Sequence, residues 1–274
     1  MVDLLKKTRT AVHILQHEGM RGVAKVVRSK LDHAYRPDEI GMAYSLLQQP
    51  GYKGVMFDVG AHHGDSLELF AQAGWQVYAF EPDSDNRAQL LENTKALPNV
   101  HVDSRAVSEH STQAVPFFNS AESSGVSSLR AFLASHKQVG TVDVTSLADF
   151  CDATGLTGQE VDLLKVDTEG FDLMVLKGWS WQQGKPRLVL CEFEDTKTLP
   201  LGYSFHMLAG YLAEKGYHLV VSEWQPIRRY GEQHHWRCFN CYPCQLTNAR
   251  AGGDIFAVGD GELIRQLLAL CGVR

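Results

Sequence analysis

No stretch of this 274-residue chain is apolar over the roughly 20 residues that a bilayer-crossing helix needs. Charge of one sign is also scarce: 26 basic and 32 acidic side chains leave a net −6, spread along the chain rather than gathered. That excludes a nucleic-acid footprint and an acidic tail, so polymeric anions are not expected partners. No internal repeat is evident, and Met1–Glu18 lacks both the apolar core and the small-residue cleavage site of a secretory leader. A cytoplasmic protein with one main domain and no membrane span is expected, with homo-oligomerisation left open. Six cysteines could close three disulfides, yet Cys151 and Cys191 fall where a core helix and a core strand are expected, which favours reduced packing thiols. Cys238, Cys241 and Cys244 share a short loop with His234 and His235. That spacing could chelate a metal, but the second Cys-x-x-Cys knuckle of a zinc ribbon is missing, and no metal site is assigned.

One further thing is missing, and it is informative. Residues 55–64 run from an apolar strand, Val55-Met56-Phe57-Asp58-Val59, into the turn Gly60-Ala61-His62-His63-Gly64, which is expected to open a helix. The pattern Asp-x-Gly-x-x-x-Gly lacks the first glycine of the dinucleotide fingerprint, whose close backbone approach serves a pyrophosphate. A nucleoside ligand without phosphates therefore fits better. Gly60 allows the reversal after the strand, Gly64 lets the backbone approach a ligand, and the helix start supplies N–H groups. The strand Gln76–Phe80 then ends at Glu81, 23 residues past Asp58, where a carboxylate can accept both ribose hydroxyls.

The first fifty residues carry helical stripes at Leu5/Val12/Leu15, Val23/Val27/Leu31 and Ile40/Tyr44/Leu47, read as a helical cap on residues 1–50. From residue 51 to 274 strands and helices alternate. Strands are expected at 55–59, 76–81, 99–103, 161–167, 188–191, 217–222 and 254–258; between Ser104 and Val144 periodicity fades. Leu188-Val189-Leu190-Cys191 is apolar without alternation, as in a strand covered on both faces, so the fold class is α/β with a doubly wound parallel sheet. Ligands lie across the carboxyl ends of such strands, which places Asp58, Glu81, Asp167 and Glu192 on one rim. Asp167 and Glu169 are the candidates facing the substrate. For Glu169 an equal alternative is a helix N-terminal acid favoured by the dipole. Lys165, inside an apolar strand, should be paired with a neighbouring acid.

Three ordered motifs carry a family resemblance: Phe57-Asp58-Val59-Gly60-Ala61-His62-His63-Gly64, Phe80-Glu81-Pro82, and Asp162-Leu163-Leu164-Lys165-Val166-Asp167-Thr168-Glu169-Gly170-Phe171-Asp172 followed by Val175-Leu176-Lys177-Gly178. The chain resembles the FkbM-type S-adenosylmethionine-dependent methyltransferases over roughly residues 50–195. The resemblance implies a seven-stranded, Rossmann-like methyltransferase sheet with strand 254–258 inserted antiparallel. It also implies S-adenosylmethionine as cofactor, S-adenosylhomocysteine as product, and methyl transfer to a hydroxyl of a sugar, glycan or natural product. On it, Asp58, Gly60, Ala61, His62, Gly64, Glu81, Ala106 and Asp167 would hold the cofactor, and Asp167 with Glu169 would serve catalysis. His62 departs from the asparagine usual there. His62, His63 and His206 could replace the carboxylates as base, and a divalent cation on Asp167 and Glu192 is a further route. Two other functions stay open: a non-catalytic cofactor-binding partner of another enzyme, and a nicotinamide-dependent oxidoreductase.

Overall fold

The computed structural model describes residues 37–120, 127–129, 136–158, 160–226 and 234–273, and every element below belongs to the unit Asp38–Arg274. The stripes expected between Leu5 and Leu31 lie outside the described residues. The third stripe forms α1 (Glu39–Leu47), capped by the Asp38 side chain on the Gly41 N–H and burying Met42, Ala43, Leu46 and Leu47. Its Glu39 accepts from Ser222 Oγ at 2.7 Å and Trp224 Nε1 at 2.8 Å, which ties α1 to a distant strand.

After α1 the chain alternates. In order come β1 (Val55–Val59), α2 (Glu68–Gln72), β2 (Gln76–Phe80), α3 (Ser84–Thr94), β3 (Val100–Asp103), β4 (Ala106–Val107), β5 (Thr112–Ser120), β6 (Ser127–Ser128) and β7 (His136–Thr145). Then follow α4 (Leu147–Thr154), β8 (Leu163–Val166), α5 (Asp172–Lys177), β9 (Leu188–Glu194), α6 (Asp195–Thr198), α7 (Phe205–Glu214), β10 (His218–Trp224), β11 (Trp236–Cys241), β12 (Gly252–Val258) and α8 (Gly261–Cys271). The main sheet has the order β11-β10-β12-β9-β8-β1-β2-β3. β12 runs antiparallel to both β9 and β10, as expected.

The sheet has eight strands, which corrects the expected seven. The extra strand is β11, antiparallel on the outer edge of β10. It comes from the Trp-, His- and Cys-rich excursion. In Trp-Arg-Cys-Phe-Asn-Cys only Phe239 is buried, so the alternation that marks a half-buried strand is faint. A second sheet, β4-β7-β5-β6, fills the region where periodicity faded. Its long strands β5 and β7 lie mostly exposed, with Phe117 the deepest side chain of β5, so there was little apolar pattern to read.

Helices α4, α5 and α7 pack on one face of the main sheet around Phe57, Leu164 and Val189; α1, α2, α3 and α8 pack on the other around Met56, Leu163 and Leu190. Consecutive residues of β1, β8 and β9 point to opposite faces and both faces are covered, which is why these strands are mostly apolar on both sides, interrupted by Asp58 in β1, Lys165 in β8 and Glu192 and Glu194 in β9. The family-like motif begins with a structural acid: Asp162 accepts from Tyr52 Oη (2.7 Å), the Val55 N–H (3.0 Å) and Arg187 (3.2 Å), and so aligns the starts of β1 and β8.

Register builds the rim. Phe80 pairs with Val59, Val59 with Val166, and Val166 with Cys191. The next residue on each strand is therefore Glu81, Gly60, Asp167 and Glu192, in one row. On the antiparallel strand Asp254 stands opposite Glu192. Parallel in-register pairing brings the residues just after β1, β2 and β8 level with Glu192 of β9, in one line at the carboxyl edge.

Candidate active site

The turn after β1 is held by geometry that excludes most side chains. Gly60 has φ of 81°, and a Cβ there would lie 1.9 Å from the Asp167 carbonyl oxygen. Both the Gly60 and Ala61 N–H groups donate to the Phe80 carbonyl at 3.1 Å, locking the turn to β2. His62 has φ of 47°, a left-handed conformation that asparagine and histidine tolerate better than most residues. That backbone suits the histidine present as well as the asparagine that the resemblance implies. The His62 N–H donates to Glu81 Oε2 at 2.8 Å, and its ring stacks on His63 with centroids 3.7 Å apart. Burial, helped by His63, holds the His62 imidazole below its ordinary pKa.

Glu81 is 5% exposed and takes a second N–H, from Asp83, on Oε1 at 2.8 Å. The Arg87 guanidinium clamps the same segment by donating to the Glu81 and Pro82 carbonyls at 2.9 and 2.8 Å. Burial pushes the Glu81 carboxyl up to about 7, against the two N–H bonds that favour its ionised form. A carboxylate accepts about four hydrogen bonds, so two places remain, aimed at a cavity of about 250 Å³. That cavity runs along the rim under the second sheet, with Gly60, His62, Glu81, Ala106, Asp167 and Glu169 among its walls and Phe117 on its roof.

Six of the candidate residues therefore meet in one place; three do not line the cavity. Asp58 is fully buried and supports the floor: it accepts from Ser66 Oγ at 2.5 Å and lies 3.2 Å from Lys165 Nζ. Ala61 is buried within the turn. Gly64 faces Leu90 of α3, 2.8 Å from where its Cβ would be, so the close approach it permits is helix packing rather than ligand contact. The helix expected to open at the turn starts only at Glu68, and none of its residues lines the cavity. His206 is exposed and also lies away from it.

Lys165 is paired as expected. Its ammonium donates to the Gly60 carbonyl at 2.8 Å and lies 3.2 Å from Asp58 and 3.5 Å from Asp167. Burial opposes its charge, yet Asp58 and Asp167 hold its pKa above the ordinary lysine range. The Asp167 side chain is 43% exposed, so it reaches the open part of the rim. Burial pushes its carboxyl upward, but the Lys165 and Lys197 ammoniums prevail and hold it below the usual range.

The turn that follows has two left-handed residues in succession, Glu169 at 54° and Gly170 at 98°. Thr168 donates through both its N–H and its hydroxyl to Asp172 Oδ1, and Tyr203 Oη donates to the Gly170 carbonyl at 2.7 Å. These bonds hold Glu169 in an unfavourable backbone region, the kind of strain that clusters at functional sites. Glu169 does not cap α5, which starts at Asp172; its carboxylate meets Lys197 Nζ at 2.7 Å. Burial pushes the Glu169 carboxyl up to about 7, with Lys197 opposing.

Lys197 is the residue that sequence reasoning missed. Its ammonium is buried between Glu169, Glu192 (3.2 Å) and Glu194 (2.9 Å), and these acids hold its pKa up against burial. A lysine in a short polar helix reads as solvated; only its place five residues after Glu192 was a hint. Asp167, Glu169 and Glu192 bring carboxylate oxygens within 4.8 Å of one another, a grouping that could hold a cation. Lys197 already brings a positive charge to two of those three acids.

Among the described residues no helix is long and apolar enough to cross a membrane. All six cysteines are free thiols; Cys238 and Cys241 lie on β11, where the Cys238 sulfur accepts from Asn240 Nδ2 at 3.2 Å.

Solved structures similar to this chain include precorrin-6Y C5,15-methyltransferase from Geobacter metallireducens GS-15, at 12% identity and TM-score 0.42, covering 80% of this chain and 86% of that one. An rRNA methylase from Streptococcus thermophilus aligns at 8% identity and TM-score 0.42 over 83% and 99% of the two chains. A SAM-dependent O-methyltransferase from Thermotoga maritima aligns at 14% identity and TM-score 0.40 over 82% and 65%. No curated protein sequence matches the chain. The sequence model of the methyltransferase FkbM domain matches residues 58–219, which spans Asp58, Glu81, Asp167, Glu169, Glu192 and Glu194. The chain belongs to the FkbM methyltransferase domain family, and its cofactor is of the S-adenosylmethionine type.

Proposed function

We propose that the protein transfers a methyl group from S-adenosylmethionine to a hydroxyl oxygen of a sugar, glycan or small natural product. The observation that carries this reading is that Glu169 and the half-exposed Asp167 line the same cavity as Glu81, with the Glu169 carboxyl pushed upward by burial. When bound, the cofactor supplies an electrophilic methyl on a sulfonium. Glu81, fixed by two backbone N–H groups, has the remaining acceptor capacity to take both ribose hydroxyls. Asp58 and Lys165 support the turn beneath without touching the ligand.

Asp167, with Glu169 assisting, is the expected base or the group that orients the acceptor, and a carboxyl held low accepts a proton poorly. A general base works best with a pKa near the working pH. We therefore assign proton removal from the acceptor hydroxyl to Glu169, and assign Asp167 to orienting the acceptor as a fixed anion. Lys197 takes part by holding Glu169 in place through its 2.7 Å contact. His62, with its pKa lowered and its ring stacked on His63, serves the turn.

Calorimetry with S-adenosylhomocysteine tests the cofactor half, and labelled S-adenosylmethionine with fractionated cell glycans and metabolites tests the transfer. Uptake of the product without label reaching any fraction would favour the non-catalytic reading. Absence of uptake would end this one, and binding of a nicotinamide dinucleotide instead would revive the oxidoreductase.

A further inference from the structure

The rim of strand ends continues beyond Glu192. β9 ends at Glu194 and β10 at Trp224, while the antiparallel β11 and β12 begin at Trp236 and Gly252, so all four termini face the same side as Glu81 and Asp167. A second cavity of about 530 Å³ opens there, with Glu194, Glu223, Arg237, Asn248 and Arg250 among its walls. Pro226 is its only apolar lining side chain among the described residues. Its floor is built: Glu223 is fully buried, accepts the Thr247 N–H at 2.9 Å and binds the Thr247 hydroxyl.

This cavity lies next to the reacting end of the first, across the buried Lys197. Glu194 belongs to its wall and lies 2.9 Å from Lys197, whose ammonium is 2.7 Å from Glu169. A single buried ammonium thus stands between the two. A third cavity, of about 430 Å³ around Asp83 and Arg87, adjoins the Glu81 end and contains none of the acids near Asp167.

We propose that the second cavity binds the methyl acceptor, and that this acceptor is a hydroxylated molecule carrying an anionic group, a sugar acid or a sugar phosphate. Carboxylate, amide and hydroxyl side chains match vicinal hydroxyls, whereas an apolar polyketide would desolvate them without return. Arg237 and Arg250 are exposed and have no ion-pair partner among the described residues, which leaves two guanidinium groups for an anion. The inference rests on the methyltransferase reading and narrows its acceptor.

The test is calorimetry on the full chain saturated with S-adenosylhomocysteine, titrated with glucose, glucuronate and glucose 6-phosphate. At least one anion should bind roughly tenfold more tightly than glucose, and Arg237→Ala/Arg250→Ala should reduce it to the glucose level, as expected for losing a charge-assisted hydrogen bond. Preference for glucuronate marks a sugar acid, and preference for glucose 6-phosphate a sugar phosphate. If neither anion outbinds glucose, or the double variant keeps the wild-type preference, the inference fails. Arg237→Gln/Arg250→Gln repeats the comparison should the alanine pair not fold. S-adenosylhomocysteine itself is titrated first: no uptake overturns the methyltransferase reading, whereas uptake without anion preference overturns only the acceptor assignment.

Discussion

Cofactor affinity should rise with pH across neutrality, and Glu81 is the reason. Its ionised form has two free acceptor places after the His62 and Asp83 N–H groups are satisfied; the acid form must turn an O–H toward one of its partners. With a carboxyl pushed up to about 7, roughly a tenth of the protein is ionised at pH 6 and roughly nine tenths at pH 8. If only the ionised form binds the ribose, the apparent dissociation constant for S-adenosylhomocysteine falls about tenfold between those values. Stability of the free protein should move the other way. A carboxyl raised from 4.5 contributes its full stabilisation below that pH and loses it as pH rises through about 7, a change of at most about 3 kcal/mol. Calorimetry at stepped pH, with urea melts of the free protein alongside, reads both slopes. Glu81→Gln should bind about 10- to 100-fold more weakly, since the amide puts a donor against an N–H, and should flatten the binding slope. Glu169→Gln removes the other carboxyl near 7 and should keep that slope. Equal affinity at pH 6 and 8, or a slope that survives in Glu81→Gln and vanishes in Glu169→Gln, refutes the assignment.

Glu169→Gln should lower single-turnover methyl transfer by about 10²–10⁴-fold while leaving product affinity within about twofold, the signature of a lost base; Asp167→Asn falling further than Glu169→Gln would move the base to Asp167. Gly60→Ala should cost more than about 2 kcal/mol in denaturant melts, because its Cβ meets the Asp167 carbonyl at 1.9 Å; an unchanged midpoint would show that the turn can open. Lys197→Met strips the counter-charge from Glu169, Glu192 and Glu194 and should destabilise by about 3–5 kcal/mol; a loss below about 1 kcal/mol would mean that those acids are neutral. Because Lys197 balances this cluster, chelators should leave methyl transfer unchanged; loss of transfer restored by magnesium would instead place a metal on Asp167, Glu169 and Glu192.

Local chemistry made much of the site legible. Gly60 stands at a left-handed turn, Glu81 closes β2, and Asp167 and Glu169 follow β8, each from motifs only a few residues long. What local pattern could not separate was contact from support. Asp58 and Gly64 sit within the same motif as Gly60 and His62, yet one faces Lys165 and the other Leu90. Adjacent residues on a strand or turn point in different directions, and a motif does not say which direction holds the ligand.

Sequence alone determined the alternating strands and helices, the doubly wound sheet and the row of acids at its edge, because apolar periodicity and strand-ending residues are local signals. Only the tertiary structure decided that β11 adds an eighth strand, that an exposed four-stranded sheet roofs the cavity, and that Lys197 lies among three acids. Those features depend on pairings between residues far apart in the chain. A lysine's ionic partners, unlike its helix, are set by which strands come to lie beside it.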